Sequence, residues 1–515
     1  MNSLTHSFQC KQKGEIKLSN SESIGKSLSD IINIRKEKVE KLLEMGVNPF
    51  PYEYNRTHFT RDVLDSYEEL KEKVVVRIAG RLTAIRQMGK ANFCDIQDTK
   101  GKIQAFFQSK KLGETQYEVF KLLDIGDIIG ISGIVTETKT RQITVFVEEL
   151  TVLAKSIRPL PIVKEKEGQV FDAFADREQR YRQRYLDLIV NPQSKKVFEM
   201  RSKLVQWIRT YLNDSGYLEV ETPILQNLYG GAHARPFTTH YNALNREFYL
   251  RVSDELYLKR CIIGGFDKVY ELSKNFRNEG IDRNHNPEFT LLEFYETFVD
   301  YNYMMDFVEK MFQTLCEKID QYQFTYEGQT IDFTKPFLRK TMFGLLEEYT
   351  GVDLIDANET EMRKVCESKG IKTNDKDHYG KYIEYLFDRF VEPNLIQPTF
   401  VIDFPKAISP LAKMKRDGSD KIVERFELFI GAKEFANAFS ELNDPIDQEE
   451  RLRNQERLGI EGDEEAQTYD KDFIQAMEYG MPPTGGVGIG IDRLTMLYTC
   501  QKTIRDVLLF PQMKS

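Results

Sequence analysis

The sequence predicts an α+β protein: a small five-stranded β-barrel ahead of a larger domain built on an antiparallel sheet with flanking helices. Three patterns carry that expectation. Between Val74 and Leu153, short apolar runs alternate with turn residues at strand spacing. The stretch Arg158-Pro159-Leu160-Pro161, with a polar run through Gln169, interrupts the chain as a linker. Beyond it, strand and helix patterns alternate without the regular strand–helix units of a doubly wound parallel sheet.

Residues 1–27 read as a flexible polar tail with neither a signal sequence nor a spanning segment, and no later stretch approaches membrane length. Residues 28–70 hold a helix capped by Asp30, carrying Ile31, Ile32, Val39, Leu42 and Leu43, and ended by Gly46 and the Asn48-Pro49 turn. Its other face is basic and reads first as a solvated charged surface of a docking helix, with an RNA contact as the second reading. Residues 71–155 form the barrel, with strands at Val74–Ile78, Asn92–Ile96, Lys102–Phe107, Asp127–Gly133 and Thr144–Val147. A helical stretch around Tyr117–Leu123 lies between the third and fourth, the order of an OB-fold. Arg81, Arg86, Lys90, Phe93, Gln104 and Phe106 are its candidates for stacking on and hydrogen-bonding to single-stranded bases.

Residues 156–190 comprise the linker and a charged helix, Arg177–Ile189, and residues 191–515 the large domain. It opens with a helix over Ser194–Ser215, then Gly216 and the strand Tyr217–Val220. A helical insertion is expected near 341–397. In the strand Arg425–Ile430, alternation sets Glu427 opposite Phe426 and Leu428. Glu434 does not share the parity of Asn437, Phe439 and Glu441, so a turn or bulge near Gly431 is required.

With 515 residues, 41% of them hydrophobic and 12% aromatic, the chain can bury several cores. A formal charge of -9 argues against a protein that coats nucleic acid indiscriminately, but allows a local basic groove. Six dispersed cysteines, with no C-x-x-C pair, point to reduced thiols and the cytoplasm.

Walker A, G-x-G-x-x-G and H-E-x-x-H sequences are all missing, so any phosphate is held by other means. Instead, Phe276-Arg277-Asn278-Glu279-Gly280, His285-Asn286-Pro287-Glu288-Phe289 and Glu293 bring an arginine, an imidazole, carboxylates and an aromatic within twenty residues. Near the end, Gly485-Gly486-Val487-Gly488-Ile489-Gly490-Ile491-Asp492-Arg493 sets glycines before a helix start. These segments resemble motifs 2 and 3 of class II aminoacyl-tRNA synthetases, and Glu219-Val220-Glu221-Thr222-Pro223 resembles motif 1. Further segments resemble the lysine-specific branch: Gly230-Gly231-Ala232, Ala234-Arg235-Pro236-Phe237, Glu255 to Arg260, Asn437 to Asp444, and Ile504 to Val507.

The resemblance implies a lysine-tRNA ligase that activates L-lysine with ATP and transfers it to the 3' end of lysine tRNA. It implies that Arg277 bridges the lysine carboxylate and the α-phosphate. Glu279 then receives the adenine amino group, Phe289 stacks on the purine, and Asn286 joins the ATP site. His285 and Arg493 meet the γ-phosphate, with Arg493 counted as catalytic beside Arg277. Glu427 and Glu434 hold Mg2+, and Glu427 also serves ATP. For lysine, Glu255, Glu441 and Tyr295 surround the side-chain ammonium. Glu293 and Gly231 meet the α-amino group, Asn437 the carboxylate, and Phe439 the stem. Arg86, Phe93 and Gln104 read the anticodon, and a homodimer forms about motif 1. Arg141-Gln142, Tyr229 and Asn284 depart from the family's usual residues. An aspartyl- or asparaginyl-tRNA synthetase, a protein-lysylating paralogue and a catalytically silent RNA-binding homologue are the alternatives. Glu255 and Glu441 oppose the first, the barrel opposes the second, and Arg277, Glu279 and Arg493 oppose the third.

Overall fold

The computed structural model describes residues 27–89, 91–161, 164–166, 169–171, 174–374, 377–461 and 467–514. Residues 1–26 of the expected polar tail, Cys10 among them, and Lys90 lie outside them. The chain divides between Phe174 and Ala175 into two compact units.

In the first unit, helix Leu28–Glu44 is capped by Ser27 rather than Asp30. The Ser27 hydroxyl accepts from Asp30 N at 3.2 Å, and the Asp30 carboxylate accepts from Ser27 N at 3.0 Å. Asp30 thus sits one turn inside, as the second half of a capping box. The helix's basic face is partly consumed by packing. Arg35 is buried and donates to the carbonyls of Ser156 and Ile125 at 2.8 and 3.1 Å, while Lys38 pairs with Asp124 at 2.8 Å.

The barrel strands are β1 (Val75–Met88), β2 (Ala91–Gln97), β3 (Lys102–Gln108), β4 (Ile128–Glu137) and β5 (Ile143–Ala154). They close in the order β1-β2-β3-β5-β4, with β3 and β5 parallel. Val76, Ile78, Leu82, Cys94, Ile96, Phe107 and Ile131 fill the interior. Strand β1 runs ten residues past the expected Ile78, because its outer half is only partly buried and lacks the apolar alternation that marks its start. The helical stretch between β3 and β4 begins earlier than expected, as Ser109–Leu112 and Glu114–Lys121.

The second unit is built on an eight-stranded sheet. In chain order its strands are β6 (Leu218–Glu219), β7 (Lys268–Phe276), β8 (Glu288–Thr297), β9 (Leu338–Thr341), β10 (Thr399–Pro405), β11 (Ile422–Phe429), β12 (Glu434–Ser440) and β13 (Thr484–Gly490). Their spatial order is β9-β10-β11-β12-β13-β8-β7-β6, antiparallel except for the parallel edge strands β9 and β6. Leu292 and Phe294 of β8, Val487 and Ile489 of β13, and Ala436 and Ala438 of β12 face the main core. Helices Pro192–Asp214 and Tyr301–Ile319 pack there through Leu204, Ile208, Leu212, Met304, Val308 and Phe312. The period of two therefore turns Glu293 and Tyr295, Gly486 and Gly488, and Asn437 and Phe439 to the opposite face.

Expected helix Arg177–Ile189 is two helices, Arg177–Arg182 and Arg184–Val190. Arg184 is buried and donates to the carbonyls of Arg505 and Leu509 at 2.9 and 3.0 Å. The 341–397 segment is helical, with Met342–Thr350, Glu359–Ser368, Tyr379–Leu386 and a π-helical turn at Phe387–Val391. Of the five cysteines within the described residues, Cys94, Cys316 and Cys366 are buried, Cys261 is half-buried and Cys500 is exposed, and all five are free. Among the described residues, no helix is long and apolar enough to cross a membrane.

Candidate active site

Strand register assembles the site. Across β12, β13 and β8, Asn437, Gly488 and Glu293 form one row, and Phe439, Gly486 and Tyr295 the next. The glycines of the middle strand leave a trough between walls of side chains. Above it lies a cavity of about 690 Å³ lined by Gly231, Glu255, Arg277, Glu279, His285, Asn286, Phe289, Glu293 and Tyr295. Glu427, Glu434, Asn437, Phe439, Glu441 and Arg493 complete the expected set, so one cavity gathers every residue assigned to ATP, lysine or metal. Its size suits a bound small molecule.

At one end, Arg277 follows the last residue of β7 and its guanidinium lies 5.1 Å from the Phe289 ring centre. Arg277 Nε is buried without a hydrogen-bond partner. Burial lowers the guanidinium's pKa, against the pull of Glu279 and Glu434. An arginine oriented by its backbone bond to Pro287 O at 2.9 Å, with Nε unsatisfied, is prepared for an incoming anion. Arg493 donates to Glu434 O at 2.7 Å and approaches His285 Nε2 at 3.3 Å. That contact assigns the imidazole proton to Nδ1, which donates to Asp282 Oδ2 at 2.9 Å. Asn286 is buried and donates to Glu288 O at 2.6 Å, leaving its Oδ1 without a partner. Glu279 is exposed at the rim.

Glu427 is paired with Arg425 at 2.6 Å, and burial, partly offset by Arg425, pushes its carboxyl up to about 7. The irregularity expected near Gly431 has two parts. Gly431 and Ala432 turn through positive φ of 59° and 57°. A register shift then sets Phe429 opposite Glu434 but Leu428 opposite Ala436. The extra residue, Phe435, restores the parity that sequence alternation denied to Glu434. Among the described residues, no group of three or more His, Cys, Asp or Glu side chains could hold a metal ion by itself. A cation between Glu427 and Glu434 would need oxygens from another source, as Mg2+ takes from phosphates and water.

At the other end the acids are buried. Glu293 accepts from Ser253 Oγ at 2.8 Å and from the Tyr295 hydroxyl at 3.2 Å. Burial, then the charges of Asp254 and Glu255, push the Glu293 carboxyl up to about 8. Tyr295 thus bonds to the acid expected at the α-amino group, although it also faces Glu255 and Glu441. Between these last two stands a residue that sequence reading missed. Lys259, wholly buried, pairs with Glu255 at 2.6 Å and touches Glu441. Burial would discharge it, but the two carboxylates outweigh that and hold its pKa above the ordinary value. Burial also raises both carboxyls, Glu441 well above its usual range. Gly231 takes a φ of +86°, and a Cβ there would stand 3.1 Å from Glu255 Cβ. Asn437 accepts from Arg425 Nε at 3.1 Å.

Comparison with known proteins bears directly on this cavity. Residues 176–514 match the family described as tRNA synthetases class II (D, K and N). A lysine–tRNA ligase of Porphyromonas gingivalis strain W83 is 48% identical over 497 residues, 95% of this chain and 86% of the relative. One from Carboxydothermus hydrogenoformans is 48% identical over 489 residues, 95% and 98% of the two chains. The chain belongs to the class II tRNA synthetases, among the lysine–tRNA ligases. In this synthetase, residues 76–153 match an OB-fold nucleic acid binding domain.

Register explains the barrel's candidate face as well. Arg86 of β1 lies opposite Phe93 of β2, Phe93 opposite Phe106 of β3, and Phe106 beside Phe146 of β5. Phe93–Phe106 and Phe106–Phe146 ring centres are 4.8 and 5.0 Å apart. The adjacent row holds Asp95, Gln104 and Thr144, where Thr144 Oγ1 donates to Gln104 Oε1 at 2.9 Å. Arg86 is fixed by Asp95 at 2.5 Å. Three half-buried aromatics with an anchored guanidinium and an oriented amide form a surface that can stack bases. Arg81 is placed otherwise: it donates to Gly126 O at 2.7 Å and lies outside this row. Sequence reading assigned no individual role to Phe146, Ser253, Lys259, Arg425 or Gly486, although Lys259 and Gly486 lie within segments it singled out. Lys259 left a local signal, four residues after Glu255 on one helix, and Gly486 one in its glycine-rich run.

Proposed function

We propose that this chain attaches L-lysine to lysine tRNA in two steps within the 690 Å³ cavity. A carboxylate oxygen of lysine attacks the α-phosphorus of ATP, the bond to the β-phosphate oxygen breaks, and pyrophosphate leaves. The terminal 3'-hydroxyl of the tRNA then attacks the lysyl carbonyl and AMP leaves. The observation that carries this reading is the joining of two unlike ends in one trough. An arginine with an unsatisfied Nε stands at one end and buried acids at the other.

Arg277 holds the two reacting anions together, and its fixed charge counts most as negative charge builds at the α-phosphate. Phe289 stacks on the purine, Glu279 accepts from its amino group, and Asn286 supports that wall. Arg493, aligned by Glu434, and His285, aligned by Asp282, hold the γ-phosphate. Glu427 and Glu434 would hold Mg2+, which would neutralise phosphate charge and aid departure of pyrophosphate. Glu293 and Gly231 receive the α-amino group, Asn437 the carboxylate, and Phe439 the aliphatic stem. Glu441 and Glu255, with Tyr295 nearby, receive the side-chain ammonium. An uncharged side chain would leave buried carboxyls unpaired, and an acidic one would be repelled. Arg86, Phe93 and Gln104 stack on and read anticodon bases.

The enzyme acts in the cytoplasm as a homodimer whose interface includes Pro192–Asp214 and the adjoining β6 segment. Leu218, Ile224, Leu225 and Leu228 are exposed there, an apolar surface suited to a second copy. Pyrophosphate exchange measured with each of the twenty amino acids tests the central reading. Lysine should support it at least a hundredfold better than aspartate or asparagine, and equal exchange with aspartate would overturn the assignment. Light scattering at micromolar concentration should give twice the chain mass.

A further inference from the structure

Lys259 has no part in the roles just assigned, yet it is wholly buried in the lysine end of the site. It lies on helix Glu255–Ile263, one turn after Glu255. Its ammonium is bonded to Glu255 Oε1 at 2.6 Å, contacts Glu441 Oε2, and lies 5.4 Å from the Phe439 ring centre. Glu255, Glu441 and Phe439 line the cavity, whereas Lys259 does not. The ammonium therefore stands behind the acids, outside the space open to a ligand. Neither Glu441 oxygen has a hydrogen-bond partner, but Oε2 is held by its ion pair with Lys259, whereas Oε1 lies against Gly486 and Tyr295.

Glu255, Glu293 and Glu441 are three carboxyls in one buried compartment. Arg251 is shared by Asp254 and Glu271, and Arg425, bonded to Glu427, also acts on Glu255, so among the described residues Lys259 is the cation in direct contact with both Glu255 and Glu441. One internal ammonium among these three carboxyls leaves the compartment short of positive charges. A free lysine carries two, on its α- and side-chain amines.

Resting on the proposed lysine specificity, we infer that Lys259 is a positioning residue for substrate lysine. It partners Glu255 and holds Glu441 Oε2, so that Glu441 meets the substrate ammonium through Oε1, beside Glu255. Without Lys259, the two buried carboxyls share a proton and turn toward each other, and substrate must displace that proton to bind.

The experiment measures lysine-dependent pyrophosphate exchange at pH 7 and pH 9 for the full-length protein, Lys259→Met, Glu255→Gln and Glu255→Gln/Lys259→Met, with thermal melts of each. Lys259→Met should raise the lysine KM at least tenfold at pH 7, leave the ATP KM within threefold, and lose most of its defect at pH 9. The double variant removes one charge of each sign and should regain at least threefold of the lysine KM. A lysine KM within threefold of the unaltered protein at pH 7, or a defect equal at both pH values and not relieved in the double variant, would overturn the inference. If Lys259→Met does not fold, the double variant is compared with Glu255→Gln, in which Lys259 competes for Glu441 alone. The double should bind lysine at least threefold more tightly, and equal or weaker binding overturns the inference. Failure of the unaltered protein to exchange lysine would instead refute the proposed function on which it rests.

Discussion

Gly486→Ala is the sharpest single-atom test of the lysine end. Gly486 lies in β13 between Phe439 and Tyr295, and its φ is not positive, so alanine fits the backbone. The added methyl does not fit the space. A Cβ there would lie 2.7 Å from Tyr295 Cδ1, closer to Tyr295 Cε1, and in overlap with Glu441 Oε1. Both neighbours are buried, and Glu441 is further held by Lys259, so neither can swing aside freely. Overpacking of this kind costs about 1–3 kcal/mol. Expressed wholly as weaker lysine binding, that is roughly a 5- to 140-fold higher KM, at about 1.4 kcal/mol per tenfold. Gly488, two residues along the same face, is the comparison: a Cβ there meets Glu293 Cγ at 3.8 Å and Asn437 O at 3.9 Å, ordinary contacts. In pyrophosphate exchange, Gly486→Ala should raise the lysine KM and leave the ATP KM within threefold. Its melting temperature should fall further than that of Gly488→Ala. An unchanged lysine KM with normal melting would refute the claim that Glu441 and Tyr295 are held in place by the missing side chain.

Arg277→Ala should lower lysine-dependent exchange by roughly 100- to 1,000-fold, the usual effect of losing one transition-state donor. Its melting temperature should hold, since Arg277 Nε makes no hydrogen bond. Phe93→Ala should leave exchange intact while raising the KM for lysine tRNA, by the roughly 1–3 kcal/mol of one base–aromatic stack; equal loss in both assays would contradict that division. Glu293 supplies a pH prediction. Its carboxyl is raised to about 8 without substrate, and must ionise to pair with the α-ammonium. Lysine affinity should therefore rise as pH increases from 6 to 8 and level off above. Below pH 8, binding should release a proton, measurable by calorimetry in two buffers of different ionisation heat. Affinity that falls over that range would show that Glu293 binds lysine in its neutral form.

Much of this arrangement was readable in the chain, and the exceptions share a cause. The barrel strands betrayed themselves by alternation, and the Phe276–Gly280, His285–Phe289 and Gly485–Arg493 segments by dense, ordered chemistry. Contacts fixed by register between distant strands were hidden. Gly486 is a glycine among glycines until it is seen between Phe439 and Tyr295, and Phe146 is one more strand aromatic until it extends the Phe93–Phe106 pair. Parity showed that β11 and β12 could not run regularly from Glu427 to Asn437. It could not choose Phe435 as the extra residue, because a bulge depends on the partner strand. Arg35 looked like surface charge because a helix pattern does not reveal the carbonyls another loop brings to it.

The two ends of the cavity also differ in a way that explains how selection and catalysis can be separate. At the phosphate end, Glu279 is exposed and His285 and Glu434 are partly open to water. The charges of these three are screened, although Glu427 beside them is largely buried, and such an end suits a ligand that brings its own large charge. At the lysine end, Glu255, Glu293 and Glu441 are closed off, and burial pushes each carboxyl up. Buried acids that resist ionisation discriminate more sharply than exposed ones, because a ligand with one positive charge too few leaves a desolvated carboxyl unmatched. Arg277 stands between these regimes, able to hold a reacting carboxylate delivered from the selective end against a phosphate delivered from the open one. Weakening Glu441 should therefore impair the choice of amino acid before it impairs handling of ATP, and weakening Arg493 should do the reverse.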